Sequence, residues 1–162
     1  DGAYYHRGKL YVQLGYHANA PADLDRAISL EPFNPYAYNS RGNLARNLGR
    51  YNLAMADYNR AIELAPYLAE AFYNRAFLLS VQEQFDDAIR DVNRSLQLEP
   101  DNGLRYGLLA KIYARKKEEA LFFATLETAL EKNYPIVELS YDPAYKAYQQ
   151  DPRFLNLVKK YE

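Results

Sequence analysis

A repeat of about 34 residues runs through this chain and limits the folds that are open to it. One set of positions in the repeat is occupied by Tyr4, Tyr38, Phe72 and Tyr106, and another by Gly8, Gly42, Ala76 and Ala110. The same phase continues in Ala20, Ala54 and Ala88, then Ala27, Ala61, Ser95 and Ala129, and finally Pro32, Pro66 and Pro100. A fixed period of this length is typical of supersecondary units that bury their apolar faces by stacking on one another. The period therefore predicts stacked helix pairs with an open surface, and it favours binding over chemistry.

Each repeat is predicted to be an antiparallel pair of helices. Between residues 36 and 66, apolar or small residues recur at helical spacing in two stripes: Tyr38, Gly42, Ala45 and Leu48, then Tyr51, Ala54, Tyr58, Ala61, Ile62 and Leu64. Gly49 ends the first stripe, and Pro66 closes the second because proline cannot continue a helix from inside. Small residues in facing columns allow close approach, so a large residue at Gly42 or Ala54 should overpack the hairpin.

This pattern resembles the tetratricopeptide repeat (TPR) family over about residues 1–136, and the first three repeats fit best. The resemblance implies an all-α fold, an alpha-alpha superhelix (solenoid) of stacked antiparallel helix hairpins with a C-terminal helical cap. We expect four repeats, at 1–34, 35–68, 69–102 and 103–136, and capping helices in 137–162.

The fourth repeat departs from the pattern in its second half. Lys117 stands in place of the glycine between the helices, Phe122 in place of the small alanine, and Tyr134 in place of proline. Two Asp-Pro pairs follow, at 142–143 and 151–152. Asp before a helix and Pro at its first position favour a helix start, so we predict two short helices, about 143–149 and 152–161. They are expected to cover the end of the repeat array.

A column of arginines runs in phase with a column of aspartates. The residues are Arg7, Arg41 and Arg75, matched by Asp23, Asp57 and Asp91; in repeat four both types are lost together, to Leu109 and Thr125. This joint loss predicts structural ion pairs that fix the register of the two helices, because a planar guanidinium suits a partly buried carboxylate. The alternative, a basic ladder for an anionic ligand, is disfavoured because the aspartates would neutralise it.

By resemblance, the first helix of each repeat lines a concave groove that binds a peptide. The candidate groove residues are Tyr5, Lys9, Asn39, Asn43, Tyr73, Asn74, Phe77 and Lys111. Aromatic rings among polar groups are typical of peptide-binding surfaces, and Asn side chains can both donate to and accept from a peptide backbone. Packing of Phe77 against a neighbouring repeat is the alternative for that residue.

One ligand class of the resembling family is not expected here. Repeats that bind the C-terminal tails of heat-shock chaperones use a clamp of Lys, Asn, Asn, Lys and Arg. The matching positions hold Tyr5, Lys9, Ser40, Glu70 and Asn74. Since none of the five agrees, the sequence disfavours chaperone-tail binding.

Composition narrows the remaining functions. The chain has no cysteine, and its two histidines, His6 and His17, have no partner at metal-ligand spacing. We therefore expect no enzyme, no cofactor and no metal in these residues. A formal net charge of −1 gives no reason to expect nucleic-acid binding, and no apolar run approaches the roughly 18 residues of a membrane span.

The sequence thus favours a protein–protein interaction scaffold that binds a peptide or helix of an unidentified partner in the groove. The alternative is a structural homo-oligomerisation module that stacks through its end repeats, including the exposed edge of repeat one. The compartment stays open: cytoplasmic, or periplasmic if a signal segment preceded Asp1.

Overall fold

The computed structural model describes residues 2–16 and 18–161, and every regular element within them is a helix. The elements are α1 (Gly2–Gln13), α2 (Ala20–Leu30), α3 (Pro35–Asn47), α4 (Tyr51–Leu64), α5 (Ala69–Val81), α6 (Phe85–Leu98), α7 (Gly103–Lys116), α8 (Glu119–Glu131), α9 (Glu138–Tyr141), a 3₁₀ helix (Pro143–Tyr148) and α10 (Pro152–Tyr161). The prediction of an all-α fold is confirmed.

A residue with left-handed backbone geometry separates the two helices of each hairpin. Gly15 and Gly49 have φ angles of 75° and 70°, and Glu83 and Lys117 both have 61°. These four residues occupy the same position in successive repeats. Glycine adopts this geometry without penalty, whereas a residue with a Cβ is strained there by about 1–2 kcal/mol. The left-handed geometry between the two helices is therefore retained at Glu83 and Lys117, although these positions no longer hold the glycine that favours it.

Residues 1–78 form one of two compact units of the chain. In this unit α1 packs on α2, α3 packs on α4, and α2 also contacts α3. The close approach of α3 and α4 depends on Gly42, where an added Cβ would lie 2.6 Å from the ring of Tyr58. Tyr58 is fully buried beside Ala54 and Leu78. The predicted role of the small columns is thus seen directly: they make room for a large side chain from the facing helix.

Residues 79–162 form the other unit, in which α7 packs on α8 and the tail packs on both. Its core combines helix residues with tail residues: Ala110, Ala114, Phe122, Leu126, Ala129, Leu130, Tyr134, Leu139, Tyr145, Tyr148 and Phe154. The tail differs in part from the prediction. Helix α10 lies where one helix was expected, but the segment after Asp142 is a six-residue 3₁₀ helix, and the four-residue α9 was not predicted. An element as short as α9 has too few positions to show a helical period.

Candidate functional site

The candidate site lies in the unit of residues 1–78, where first helices of consecutive repeats contribute to one face. The ring centroids of Tyr5 on α1 and Tyr36 on α3 are 6.5 Å apart. The guanidinium of Arg46 on α3 lies 5.0 Å from the ring centre of Phe77 on α5. We call this surface the first-helix face, made up of Tyr5, Lys9, Tyr36, Asn43, Arg46, Tyr73 and Phe77.

Two of the predicted groove residues are buried inside this region and do not present their amides to a ligand. Asn39 and Asn74 are only 3% and 5% exposed. The Asn74 Nδ2 donates a hydrogen bond of 3.0 Å to the Asn39 Oδ1, which joins α3 to α5. Buried amides need such partners, because an unpaired one costs about 1–3 kcal/mol. The placement of Asn39 and Asn74 as groove contacts is therefore corrected: they set the register of the two helices.

Phe77 is a surface residue in part, with 37% of its area exposed. The Arg46 guanidinium lies over this ring, and its Nη2 donates a 3.5 Å hydrogen bond to the Asn47 Oδ1. A guanidinium has five N–H groups, so this bond uses only part of its donor capacity. Tyr73, one helical turn earlier on α5, is half-buried. The far end of the face thus offers an apolar ring and a cation side by side.

The other end of the face is also aromatic. Tyr5 is half-buried, Tyr36 is exposed, and the ring of His6 lies 5.0 Å from that of Tyr5. The Lys9 Nζ lies 5.9 Å from the Tyr5 ring centre. Among the described residues, neither Lys9 nor Arg46 has a carboxylate within ion-pair distance. Both cations therefore keep their charge available to a ligand.

Asn43 lies between these two ends and is tied to the hairpin. The buried Tyr58 hydroxyl donates a 2.8 Å hydrogen bond to the Asn43 Oδ1. Burial raises the pKa of Tyr58 above its ordinary value, so the phenol stays protonated and can donate. The contact uses the carbonyl oxygen of Asn43 and fixes the direction of its NH₂ group.

Lys111 belongs to the unit of residues 79–162, where it forms ion pairs with residues of the tail. Its Nζ lies 2.6 Å from the Asp142 carboxylate and 3.6 Å from that of Glu138. Burial opposes the charge, but the attraction led by Asp142 is larger and raises the pKa of Lys111 above its ordinary value. The placement of Lys111 as a groove residue is corrected for this reason: its charge is satisfied by the segment that caps the repeats.

The structure shows the predicted Arg–Asp pairs of the first two hairpins. Arg7 donates to Asp23 at 2.6 and 2.8 Å, and these bonds hold the pKa of Asp23 below its usual value. Arg41 donates to both oxygens of Asp57 at 2.9 Å. Pairing of Arg75 with Asp91 stays a prediction.

Sequence reasoning missed a second partner for these arginines. The Arg41 Nη1 also donates to Asp25 of the preceding hairpin at 2.8 Å, and the Arg75 Nη1 donates to Asn59 at 2.7 Å. Asp25 and Asn59 occupy the same position in consecutive repeats. That recurrence was the signal in the sequence: a polar column two positions after the aspartates.

Comparison with known proteins places these hairpins in a family. Models described as tetratricopeptide repeat match residues 1–34, 35–68 and 69–102, which together make up well over half of the chain. The chain belongs to the tetratricopeptide repeat family. None of the curated proteins is similar enough in sequence to count as its relative.

Solved structures show the same TPR fold. A crystal structure of MamA has a TM-score of 0.71 at 23% identity and covers 77% of this chain and 73% of its own. The first TPR of Spaghetti (RPAP3), bound to the HSP90 peptide SRMEEVD, has a TM-score of 0.67 at 23% identity and covers 71% of this chain and 91% of its own. The Cut9–Hcn1 hetero-tetramer has a TM-score of 0.70 at 21% identity and covers 97% of this chain and 29% of its own. These likenesses show the fold, an all-α arrangement of TPR hairpins.

The described residues of this TPR protein give no sign of a metal centre. Within 2–16 and 18–161, no group of three or more His, Asp or Glu side chains is placed to hold an ion. His6 is exposed on α1, and His17 lies outside the described residues. Within the described part of the chain, no helix combines the length and the apolar character needed to cross a bilayer.

Proposed function

We propose that the first-helix face binds a peptide segment of a protein partner. The observation that carries the proposal is the arrangement of Arg46 over the partly exposed ring of Phe77, with no carboxylate paired to that cation among the described residues. An apolar ring next to a cation that keeps its charge favours a ligand that has both an apolar side chain and an anionic group.

The rest of the face supports a ligand that extends along it. Tyr5 and Tyr36 provide a second aromatic contact, with Lys9 beside them. Because the Asn43 oxygen already accepts from Tyr58, its NH₂ group is the half that a peptide carbonyl would meet. The proposed ligand therefore has an apolar or aromatic residue near each end and a carboxylate next to at least one of them.

The peptide bound by the RPAP3 repeat is not the ligand that we propose. That peptide, SRMEEVD, has three acidic residues among its last four. By the family resemblance, the clamp that binds such chaperone tails uses three cations. Here the three positions hold Tyr5, Glu70 and Asn74, and Asn74 is buried in the fold. A carboxylate at Glu70 would repel a peptide with several acidic side chains.

The test is a selection of 12-residue peptides displayed on phage against the full chain, followed by fluorescence anisotropy of the selected peptides. Phe77→Ala and Arg46→Ala should each weaken binding by at least about tenfold, a loss of roughly 1.4 kcal/mol or more. Phe33→Ala is the matched control, since Phe33 is an exposed phenylalanine, 76% accessible, in the turn before α3.

Two outcomes decide the test. Loss in both face variants, with the Phe33→Ala control unchanged, supports the proposal. Equal binding by wild type, Phe77→Ala and Arg46→Ala places the ligand elsewhere and refutes it. Circular dichroism of each variant checks that the helices are retained, which we expect because both side chains lie at the surface.

A further inference from the structure

A cavity of about 360 Å³ lies between α2, α3 and α4, at the junction of the first two hairpins. Its volume is at the small end of the roughly 300–1,000 Å³ that ligand sites occupy. On α3 the cavity is lined from the side opposite Asn43 and Arg46, so it is separate from the first-helix face. We call it the α2–α4 groove. Its apolar lining consists of Pro21, Leu44, Ala45, Leu48, Leu53 and Ala56.

Two leucines of the α2–α4 groove are exposed to solvent. Leu48 is 40% exposed and Leu53 is 58% exposed. One repeat later, their positions hold Gln82 and Asp87. The repeat pattern therefore does not require an apolar residue at either position. Apolar surface that lines a cavity is typical of a ligand-binding groove, and here it belongs to one junction of the array.

The equivalent junction in the unit of residues 79–162 is joined by ion pairs. Lys116 takes the position of Leu48, and its Nζ lies 2.7 Å from the Asp86 carboxylate and 2.9 Å from that of Glu118. Glu118 itself takes the position of Arg50. In that junction the charged side chains satisfy one another, whereas the same positions of the α2–α4 groove hold an apolar side chain and a cation.

Arg50 gives the α2–α4 groove a charge that is available to a ligand. It directly precedes α4, is exposed, and its side chain has no partner among the described residues. Arg41, at the other end of the groove, already donates to Asp25 and Asp57. Arg50 precedes Asp57 by seven residues, about 10 Å along the helix at 1.5 Å per residue. Physiological salt screens most of the attraction between charges at this separation, so Asp57 does not neutralise Arg50.

We propose that the α2–α4 groove binds a small anionic amphiphile, which is an apolar chain with a carboxylate at one end. The apolar chain lies along Leu44, Leu48 and Leu53. The carboxylate meets the Arg50 guanidinium, whose planar fork suits a carboxylate. The chain is of medium length, because about 10 Å from Arg50 it would meet the ion pairs of Arg41.

Charge favours a carboxylate over an ammonium head group. Asp25 is the group that an ammonium would meet, since its side chain is 60% exposed. It already lies 2.8 Å from the Arg41 guanidinium, whereas Arg50 has no counter-charge among the described residues. A ligand that brings a negative charge therefore fits the unmet charge of the groove.

Size favours a small molecule over a helix of a partner protein. Stable protein interfaces bury about 1,200–2,000 Å². The α2–α4 groove offers a small cavity with two exposed leucines, and the residues that follow Leu48 and precede Leu53 are Gly49, Arg50 and Asn52 on either side of Tyr51. Its apolar surface is thus suited to one short chain.

The test compares octanoate, octylamine and octanol, which share an apolar chain and differ in their head group. Each is titrated into the full chain, labelled with ¹³C in its leucine methyl groups, and followed by NMR. Octanoate should shift the methyl signals of Leu44, Leu48 and Leu53 saturably. It should bind at least about fivefold more tightly than the other two probes.

Three variants assign the binding to the α2–α4 groove. Arg50→Ala should remove the preference for octanoate over octanol, and Arg50→Lys should keep part of it because the charge is retained. Leu53→Ser should weaken binding of all three probes. The matched control is Arg26→Ala, because Arg26 is an exposed arginine of α2 that does not line the groove. Circular dichroism checks the fold; if Leu53→Ser loses its helical signal, Ala56→Gln replaces it with the same expectation.

Several results would overturn the proposal. The absence of a saturable shift, or equal binding of the three probes, would show that the groove does not select an anionic amphiphile. Octylamine that binds as tightly as octanoate would place the head group at Asp25. An unchanged affinity in Arg50→Ala, or an equal loss in Arg26→Ala, would exclude Arg50 as the contact.

Other occupants are outcomes of the same experiment. Tighter binding of acetyl-Ala-Leu-Leu than of octanoate would make the occupant the C-terminus of a peptide and refute the choice of ligand. Light scattering that shows a wild-type dimer, lost in Leu53→Ser, would make it a second copy of the chain and refute it too. Phe77→Ala should leave octanoate bound, which separates this result from failure of the proposed peptide-binding function.

Discussion

Asp57→Ala tests how much an internal ion pair stabilises a TPR hairpin. Asp57 is 7% exposed and accepts two hydrogen bonds of 2.9 Å from Arg41. Loss of a partner from a fully buried pair costs about 3–5 kcal/mol, because a charge is left without compensation. Arg41 is 33% exposed and keeps its bond to Asp25, so water and that carboxylate offset part of the loss. We therefore expect the free energy of unfolding to fall by about 2 kcal/mol.

Asp23→Ala is the matched comparison, because the same two bonds join Asp23 to Arg7. Arg7 is 56% exposed, so solvent screens this pair more strongly, and we expect Asp23→Ala to lower the free energy of unfolding by less than Asp57→Ala does. Urea denaturation followed by circular dichroism measures the free energy of unfolding of both variants. An unchanged dependence of that free energy on urea concentration shows that unfolding stays cooperative. Equal losses in the two variants would show that burial does not set the strength of these pairs. A loss for Asp57→Ala as small as that of a typical exposed pair, below about 0.5 kcal/mol, would show that the pair contributes little to stability.

Two further substitutions test the helix junctions, again by urea denaturation. Gly42→Ala should destabilise by about 1–2 kcal/mol: the new Cβ lies 2.6 Å from the buried Tyr58 ring, and overpacking exceeds the roughly 1 kcal/mol gain in helix propensity. Gly2→Ala, whose Cβ would lie 3.7 Å from the His6 ring, is its control, and an equal loss there would refute the packing argument. Lys117→Gly should stabilise the protein by about 0.5–1 kcal/mol, because glycine relieves the strain at a φ of 61°. This relief is larger than the cost of the entropy that the unfolded chain gains with glycine. Lys117→Ala keeps the Cβ and should show no gain; a gain as large as that of glycine would exclude backbone strain as the cause.

The repeat pattern was enough to predict the helix pairs, because their period, turn residues and small columns are all local signals. It was not enough to predict which polar residues face a ligand. Asn39 and Asn74 are at the same helix side as Tyr36 and Phe77, yet they pair with each other across α3 and α5. Sequence spacing gives the side of a helix, but burial depends on how close the next helix comes. The same limit applies to Lys111, whose partner Asp142 lies in the aperiodic tail.

A position that departs from the repeat pattern indicates where the tail packs on the last hairpin. The column of Ala20, Ala54 and Ala88 continues in repeat four with Phe122. The repeat pattern has a small residue at this position, so the large ring of Phe122 departs from it. Phe122 is fully buried, with its ring centroid 4.3 Å from that of Tyr148 and 5.8 Å from that of Tyr145. Aromatic pairs at these distances stabilise by about 0.5–1.5 kcal/mol beyond the area that they bury. A large residue in a small column thus marks the place where the tail packs on the last hairpin.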